Sequence, residues 1–322
     1  MNTYEETLKW MFSKLPMYQR QGAAAYRSGL DSIKRLDLYL GHPHKNFKSI
    51  HIAGTNGKGS TSHMIASILQ TAGYKTGLYT SPHLLDFKER IKVNGVKITK
   101  EEVMIFINSN KSYFEKEKST FFEMCVALAF WHFNKVKVDY AIIEVGLGGR
   151  LDATNIITPV LSIITNIGLD HTQFLGKTHQ KIASEKAGII KSGVPIIIGE
   201  KDIKTESIFE DASRKSNAPL YFAKKNTKNF ISDLKGSYQA KNIRTVITAL
   251  KQLPNFNLDN SVIIKGLSRV VENTGLKGRW QVLQNSPKVI LDVGHNKEAL
   301  RLIAKQINEI SYNKLYLVMG FI

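Results

Sequence analysis

From His51 to Ser60 the chain reads His-Ile-Ala-Gly-Thr-Asn-Gly-Lys-Gly-Ser, and residue types in this order suit the holding of phosphate. Glycines let backbone N–H groups converge on phosphate oxygens, a helix starting just behind them adds a favourable dipole, and Lys58 offers a cation to the terminal phosphates. The spacing is more compact than the general phosphate-loop pattern: two residues separate Gly54 from Gly57, and Gly59 stands between Lys58 and the Ser60 hydroxyl. The same residues could instead form a glycine turn in a βα unit with a surface lysine.

A phosphate cradle calls for a cation, and Mg²⁺ takes oxygen ligands while keeping several waters, so one or two protein ligands suffice. Glu144 ends an apolar run and precedes Gly146-Leu147-Gly148-Gly149, which suits the main carboxylate; Ser60, Ser81 and the pair Asp170-His171 are further candidates. The pair alone could equally cap a helix. Gln239 and Asn242 share one helical face, and Asp292 and His295 follow an apolar run. Arg279 has a planar, permanently charged fork suited to a phosphate.

These residues must be placed by alternating elements. Ser49 to Ala53 reads as a buried strand, and the helix after the loop shows Met64, Ile65, Ile68 and Leu69 on one apolar face. Strands follow at Lys75 to Thr80, Asp139 to Val145, Pro159 to Thr165, Val194 to Ile198 and Leu220 to Ala223. Val93-Asn94-Gly95-Val96 signals a hairpin. Helices are expected at Thr3 to Leu15, Leu30 to Leu40, Lys100 to Lys116, Phe121 to Phe133, Ile182 to Ile190, Glu206 to Lys215, Gln239 to Leu250 and Leu258 to Val270, with a loop at Tyr18 to Arg27. The alternation predicts an α/β protein with a doubly wound, mostly parallel sheet. In such sheets ligands sit beyond the carboxyl ends of the strands, where Gly54, Glu144 and Asn166 all fall. Gly275 to Asn285 reads as a junction. After it a βαβ unit is expected, from a strand at Lys288 to Val293, a helix at Glu298 to Ile310 and a strand at Leu315 to Met319. The expected division is 1–280 for the main domain and 281–322 for the start of a smaller, Rossmann-like one whose remainder is absent.

The chain has 322 residues, enough for one large or two ordinary domains, with 43% hydrophobic and 22% charged residues, as in globular proteins. Cys125 is the single cysteine, in an apolar helical run, so no intrachain disulfide forms and a reducing compartment, the cytoplasm, is expected. The N-terminus is amphipathic and carries Glu5 and Glu6, unlike a signal peptide, and no apolar run approaches the roughly 20 residues that span a bilayer. The formal charge of +18 would attract polyanions, but the lysines are scattered and no nucleic-acid-binding motif accompanies them. Neither a nucleic acid nor a membrane is expected as partner.

A set of motifs in order carries a resemblance. They are IAGTNGKGS from Ile52, YTSPHL from Tyr79, ERIKVNG from Glu89, TFFE from Thr120, EVGLGGRLDATN from Glu144, NIGLDHTQFLG from Asn166, IASEKAGIIK from Ile182, SYQAKN from Ser237, GRWQVL from Gly278 and LDVGHN from Leu291. The chain resembles the folylpolyglutamate synthase/dihydrofolate synthase branch of the Mur ligase superfamily over nearly its whole length. The resemblance implies a phosphate-loop-containing fold of the Mur ligase central-domain type and an ADP-forming ligase. That enzyme would add L-glutamate to dihydropteroate or to folate polyglutamates through an acyl phosphate. The alternatives are another Mur-type amino-acid ligase and a non-catalytic nucleotide-binding module.

Position by position, the resemblance implies ATP contacts at Thr55, Asn56, Gly57, Lys58, Gly59, Ser60, Asn242, Arg279, Asp292 and His295. It implies Mg²⁺ ligands at Ser81, Glu144 and His171, and a lysine carried as a carbamate at Lys186. The pteroate or folate site would include Gly29, Thr120, Phe121, Phe122, Glu123, Leu151, Asp152 and Ala153. Lys58, Glu144, His171, Lys186 and Arg279 are the implied catalytic set, and the family's members suggest a monomer.

Overall fold

The computed structural model describes residues 1–13, 29–224, 230–253 and 259–320. An eight-stranded sheet is built from β1 (Lys48–Ala53), β2 (Thr76–Tyr79), β3 (Ile91–Val93), β4 (Val96–Lys97), β5 (Tyr140–Glu144), β6 (Leu161–Ile164), β7 (Ile196–Ile198) and β8 (Leu220–Phe222), in the order β4-β3-β2-β5-β1-β6-β7-β8. The six strands from β2 to β8 in that order pair in parallel, and β3 and β4 form an antiparallel edge hairpin whose turn is Asn94-Gly95. Both turn residues have positive φ, 47° and 77°, as a type I′ turn requires. From β1 the chain moves to one side for β2 and later to the other for β6. This is the switch point at which such a sheet opens a crevice.

β5 is apolar along most of its length and β1 is buried from Ser49 to Ala53, because helices cover both faces. The period of two decides which side each residue serves: Ala141 and Ile143 join the core of α1 (Tyr4–Ser13), α2 (Asp31–Tyr39), α4 (Lys100–Lys116) and α5 (Phe121–Lys135), whereas Ile142 faces the opposite layer. That layer contains α3 (Lys58–Thr71), α9 (Gln239–Leu250), α10 (Asn260–Leu267) and α11 (Val270–Thr274). Between β6 and α9 come α6 (Thr172–Leu175), α7 (His179–Ala187) and α8 (Glu206–Lys215). Cys125 lies fully buried in α5.

Three expectations need correction. α3 is buried around its whole circumference from Gly59 to Leu69, not on one face, because α9, α10 and α11 cover the side turned away from the sheet. Its closest neighbour is α10, where a methyl group on Gly266 would lie 2.6 Å from the Ile68 Cα, and Ser67 donates to the Gly266 carbonyl at 2.6 Å. The helix expected from Leu258 to Val270 is two helices, α10 and α11. The C-terminal βαβ unit is also absent: Gln281–Asn285, expected within a junction, is a strand, β9, pairing antiparallel with β10 (Lys288–Leu291). α12 (Lys297–Ile307) follows, but Leu315 to Met319 pairs with no strand among the described residues and remains exposed. An extended apolar segment becomes a strand only beside a partner edge, and none is presented here. The loop expected at Tyr18 to Arg27 lies outside the described residues.

Candidate functional site

β1 ends at Ala53, and the next seven residues are fastened to the end of β6. Thr55 N–H donates to the Asn166 carbonyl at 3.0 Å, Asn56 N–H to Asn166 Oδ1 at 2.8 Å, and Thr165 Oγ1 to the Asn56 carbonyl at 2.5 Å. Two glycines make this approach possible. Gly54 has φ +147° with Thr165 Oγ1 where a Cβ would be, and Gly57 has φ +83° with Asn242 Oδ1 2.4 Å from that position. Lys58 folds back over the loop, donating to the carbonyls of Gly54 at 3.0 Å and Thr55 at 3.2 Å. Ser60 Oγ accepts from Gln239 Nε2 at 3.2 Å, and Asn242 Nδ2 in turn donates to Gln239 Oε1 at 2.7 Å. The amide pair on the first turn of α9 thus faces the first turn of α3.

Glu144 closes β5 with only 4% of its surface exposed, and its Oε2 accepts from Ser81 N–H at 3.1 Å. Burial pushes its carboxyl pKa up, against the opposing pull of Lys58, the Ser81 N–H, Arg279 and Arg90. It forms no ion pair among the described residues. The Arg279 guanidinium lies over Gly59, 3.3 Å from where a Cβ would sit, with the Glu144 carboxylate at 3.7 Å from the same point.

Lys186 is a second buried charge. Its Nζ, on α7, donates to the Gly54 carbonyl at 3.0 Å, and burial together with the nearby Lys58 lowers its pKa to about 7. His171 stands at another lip of the cleft with φ 47°, its Nε2 3.9 Å from Asp170 Oδ1, and burial lowers its pKa. Among the described residues it makes no hydrogen bond to Glu144, though both line the cleft.

The opposite wall comes from the segment after α11. Asp292 accepts from Tyr238 OH at 2.6 Å and from the backbone N–H groups of Trp280 and Gly294, each at 2.8 Å. Asn296 Nδ2 reaches Asn56 Oδ1 at 2.9 Å and Asp170 Oδ2 at 3.0 Å, and His295 Nε2 lies 3.6 Å from the same Asp170 oxygen. That carboxylate raises the His295 pKa, and the partners around Asp170 draw its own pKa down.

The cleft between these walls encloses about 920 Å³. Thr55, Asn56, Gly57, Lys58, Gly59, Ser60, Ser81, Glu144, His171, Lys186, Asn242, Arg279, Asp292 and His295 all line it. Gly29, Thr120 to Glu123 and Leu151 to Ala153 do not. Thr120 and Glu123 form a reciprocal capping box at the start of α5, at 3.2 and 2.7 Å. Phe121 stacks on Phe12 with ring centroids 5.3 Å apart, under the Arg90 guanidinium at 5.4 Å. Phe122 packs so tightly on Gly146 that a methyl there would come within 2.3 Å of its ring. Asp152 is buried and accepts from Leu147 N–H at 2.8 Å and from Thr154, which anchors the loop behind Glu144. Lining residues that sequence reasoning passed over are His63, Lys92 and Tyr238. His63 falls three residues after Ser60 and shares its side of α3, and Lys92 and Tyr238 lie within the ERIKVNG and SYQAKN stretches.

Fold and site define a phosphate-loop α/β protein with a cleft at the sheet's switch point. The Mur ligase middle domain family matches residues 52–264. The dihydrofolate synthase/folylpolyglutamate synthase of Bacillus subtilis is 34% identical over 95% of this chain and 76% of its own length. A probable bifunctional folylpolyglutamate synthase/dihydropteroate synthase of Haloferax volcanii is 35% identical over 98% of this chain, which spans 40% of that relative's length. Among solved structures, Escherichia coli FolC in complex with DHPP and ADP matches with a TM-score of 0.81 and 30% identity, over 96% of this chain and 75% of that one. The chain belongs to the Mur ligase family, in its dihydrofolate synthase/folylpolyglutamate synthase branch.

Proposed function

We propose that the chain is an ATP-dependent, ADP-forming ligase that joins L-glutamate to dihydropteroate, to folates, or to both. The observation that carries this reading is the convergence of the phosphate loop, the buried Glu144 and Arg279 on one point beside Gly59. The relatives' names and the solved complex with DHPP and ADP support it.

Lys58 and Arg279 neutralise the charge that develops as the acceptor's carboxylate oxygen attacks the γ-phosphorus, displacing ADP and forming an acyl phosphate; the glutamate amine then attacks the acyl carbon, forming the amide and releasing phosphate and a proton. The loop's N–H groups orient the phosphates, Asn242 contacts the nucleotide from α9 with Gln239 bracing it against Ser60, and Asp292 and His295 hold it from the facing wall. A buried carboxylate with a single hydrogen bond and no cation in contact fits a magnesium site. Glu144 and Ser81 would hold one Mg²⁺ and Glu144 with His171 a second, supplying charge neutralisation at the phosphates. Lys186 has the neutral amine fraction that addition of CO₂ requires, and its carbamate would offset the nearby Lys58 charge. Gly29, the Thr120 to Glu123 turn and the Leu151 to Ala153 segment serve the pteroate beyond the cleft wall. A monomer in the cytoplasm completes the proposal. No helix among the described residues is long and apolar enough to cross a membrane.

The test is ADP release with dihydropteroate or tetrahydrofolate as acceptor, with and without glutamate. Strict dependence on both substrates is expected, and Lys58→Ala should lower turnover about a hundredfold or more with little change in Tm. Turnover indifferent to the acceptor, or nucleotide binding alone, would assign the chain to a nucleotide-binding module instead.

A further inference from the structure

One end of the cleft, away from the phosphate loop, carries cations that the proposed chemistry leaves unused. Lys92, on β3, is 4% exposed and lines the cleft. Its Nζ donates to the Thr274 carbonyl at 2.7 Å and lies 3.5 Å from that of Gly275, both neutral acceptors. Lys277 lines the same end, exposed and near enough to Lys92 to oppose its charge. Neither lysine forms an ion pair among the described residues, and neither does Arg279. Glu89, the acid that acts on Lys92, accepts from Leu84 N–H through Oε2 at 2.9 Å, and its buried Oε1 has no hydrogen-bond partner among the described residues and lies 3.9 Å from Lys97 Nζ.

His63 closes this end from α3, and its protonation is fixed by its partner. Thr274 spends its single hydroxyl hydrogen on the Val270 carbonyl at 2.6 Å, so at 2.6 Å from His63 Nδ1 it can only accept. Burial and the cations of Lys92 and Arg279 depress the His63 pKa well below the usual imidazole value. The ring therefore adds no positive charge near neutral pH, and the lysines supply the field. Burial likewise lowers the Lys92 pKa to about 8, with Glu89 opposing and Lys97 and Lys277 reinforcing that effect. A bound anion would supply the counter-charge that this ammonium lacks.

We propose that Lys92 and Lys277 form a carboxylate subsite at this end of the cleft, taking a carboxylate of the amino-acid substrate or of a glutamate tail on the acceptor. The inference rests on the ligase reading, which supplies the carboxylates. Phosphate is the weaker candidate, since Lys58 and the glycine loop already form a cradle for it elsewhere in the same cleft.

Steady-state kinetics of Lys277→Ala, Lys277→Glu and Lys92→Met separate the sources. Lys277 makes no side-chain hydrogen bond among the described residues, so its variants should fold normally even where Lys92→Met does not. With dihydropteroate as acceptor, KM for L-glutamate should rise about tenfold in Lys277→Glu and less in Lys277→Ala, with KM rising more than kcat falls and KM for ATP unchanged. If only KM for a glutamylated acceptor such as tetrahydrofolate rises, the subsite holds the tail. Unchanged KM values for glutamate and for both acceptors, or a rise confined to ATP, overturn the subsite. A wild-type chain that turns over no acceptor overturns the ligase reading, and a binding assay then decides the subsite separately. Glutarate should raise the Tm of the wild type and not that of Lys277→Glu, and an equal response in both overturns it.

Discussion

Glu144 is held where its charge costs most. A carboxylate that is 4% exposed and accepts one backbone hydrogen bond is poorly satisfied, which is why burial drives its pKa up. Glu144→Gln keeps an oxygen for Ser81 N–H and removes the charge, so Tm should hold or rise. ADP release should fall about a hundredfold or more, measured beside the melting curve. Lys186 poses the complementary case. An amine with pKa near 7 is increasingly neutral as pH rises through 7, and only the neutral form adds CO₂. Intact mass measured in bicarbonate should therefore show one added CO₂, increasing from pH 6 to pH 8 and absent in Lys186→Arg. An unmodified chain at pH 8 would sink the carbamate. At this scale the phosphate loop, Glu144 and Arg279 were legible because neighbouring glycines and strand ends mark them. Thr120-Phe121-Phe122-Glu123 was legible in another sense: it spells a capping box, and capping α5 is the use the structure makes of Thr120 and Glu123. Lys92 and Tyr238 lay within the ERIKVNG and SYQAKN stretches, but their roles could not be read there, since each acquires its partner from an element more than fifty residues away.

At the scale of elements, strands and helices were legible wherever period and punctuation agreed, as in β5 between α5 and the Gly146 to Gly149 run. They were misread where packing decides. α3 carries His63 and Ser67 on the side away from the sheet, polar residues that imitate an exposed face while three helices bury it. Ser67 and the His63 ring are accommodated by specific partners, Gly266 and Thr274, that no local window contains, whereas the buried Thr61 and Ser62 hydroxyls have no hydrogen-bond partner among the described residues. β1 hides a comparable group. His51 is fully buried, and Thr154 gives its hydroxyl hydrogen to Asp152, so His51 Nε2, 2.9 Å away, must be the donor. Burial and the Lys191 charge lower its pKa to about 3. The unfolded chain takes up this proton near pH 6.5 and the folded chain does not. The contribution is therefore complete above pH 6.5 and is lost at about 1.4 kcal/mol per pH unit as pH falls toward 3. His63 acts in the same direction. Glu144 and Asp152 act oppositely, since their raised pKa values add stability as pH falls toward the carboxylate range. Urea unfolding at pH 7 and pH 5.5 isolates the histidine term above that range. His51→Asn should be less stable at pH 7 yet lose less between the two pH values than the wild type, and equal losses would contradict the buried neutral imidazole.

At the scale of the molecule, the cleft is a seam between two sheets that share no strand. One wall belongs to the eight-stranded sheet through the loop after β1; the other carries Arg279, Asp292 and His295 around the β9–β10 hairpin. The alternation of strands and helices predicted a doubly wound, mostly parallel sheet, but it could give neither the strand order nor the hairpin's docking. That docking depends on contacts across the molecule, from Asn296 to Asn56 and Asp170 and from Gln306 to Ser237 N–H at 2.8 Å. Few and polar, these contacts make the hairpin and α12 the part of the cleft that opens at least cost. A nucleotide held from both walls would add its binding free energy to that seam, about 2.7 kcal/mol at a hundredfold excess over Kd if it binds only the closed form. Hydrogen exchange with the nonhydrolysable analogue AMPPCP should therefore slow across residues 288–307 as well as in the phosphate loop. Arg279→Ala should keep the loop's protection and lose most of the hairpin's, because the guanidinium beside Gly59 is the charged group that the hairpin side brings to the phosphate loop. Protection confined to the phosphate loop in the wild type, or undiminished at the hairpin in Arg279→Ala, would show that the nucleotide does not bridge the seam.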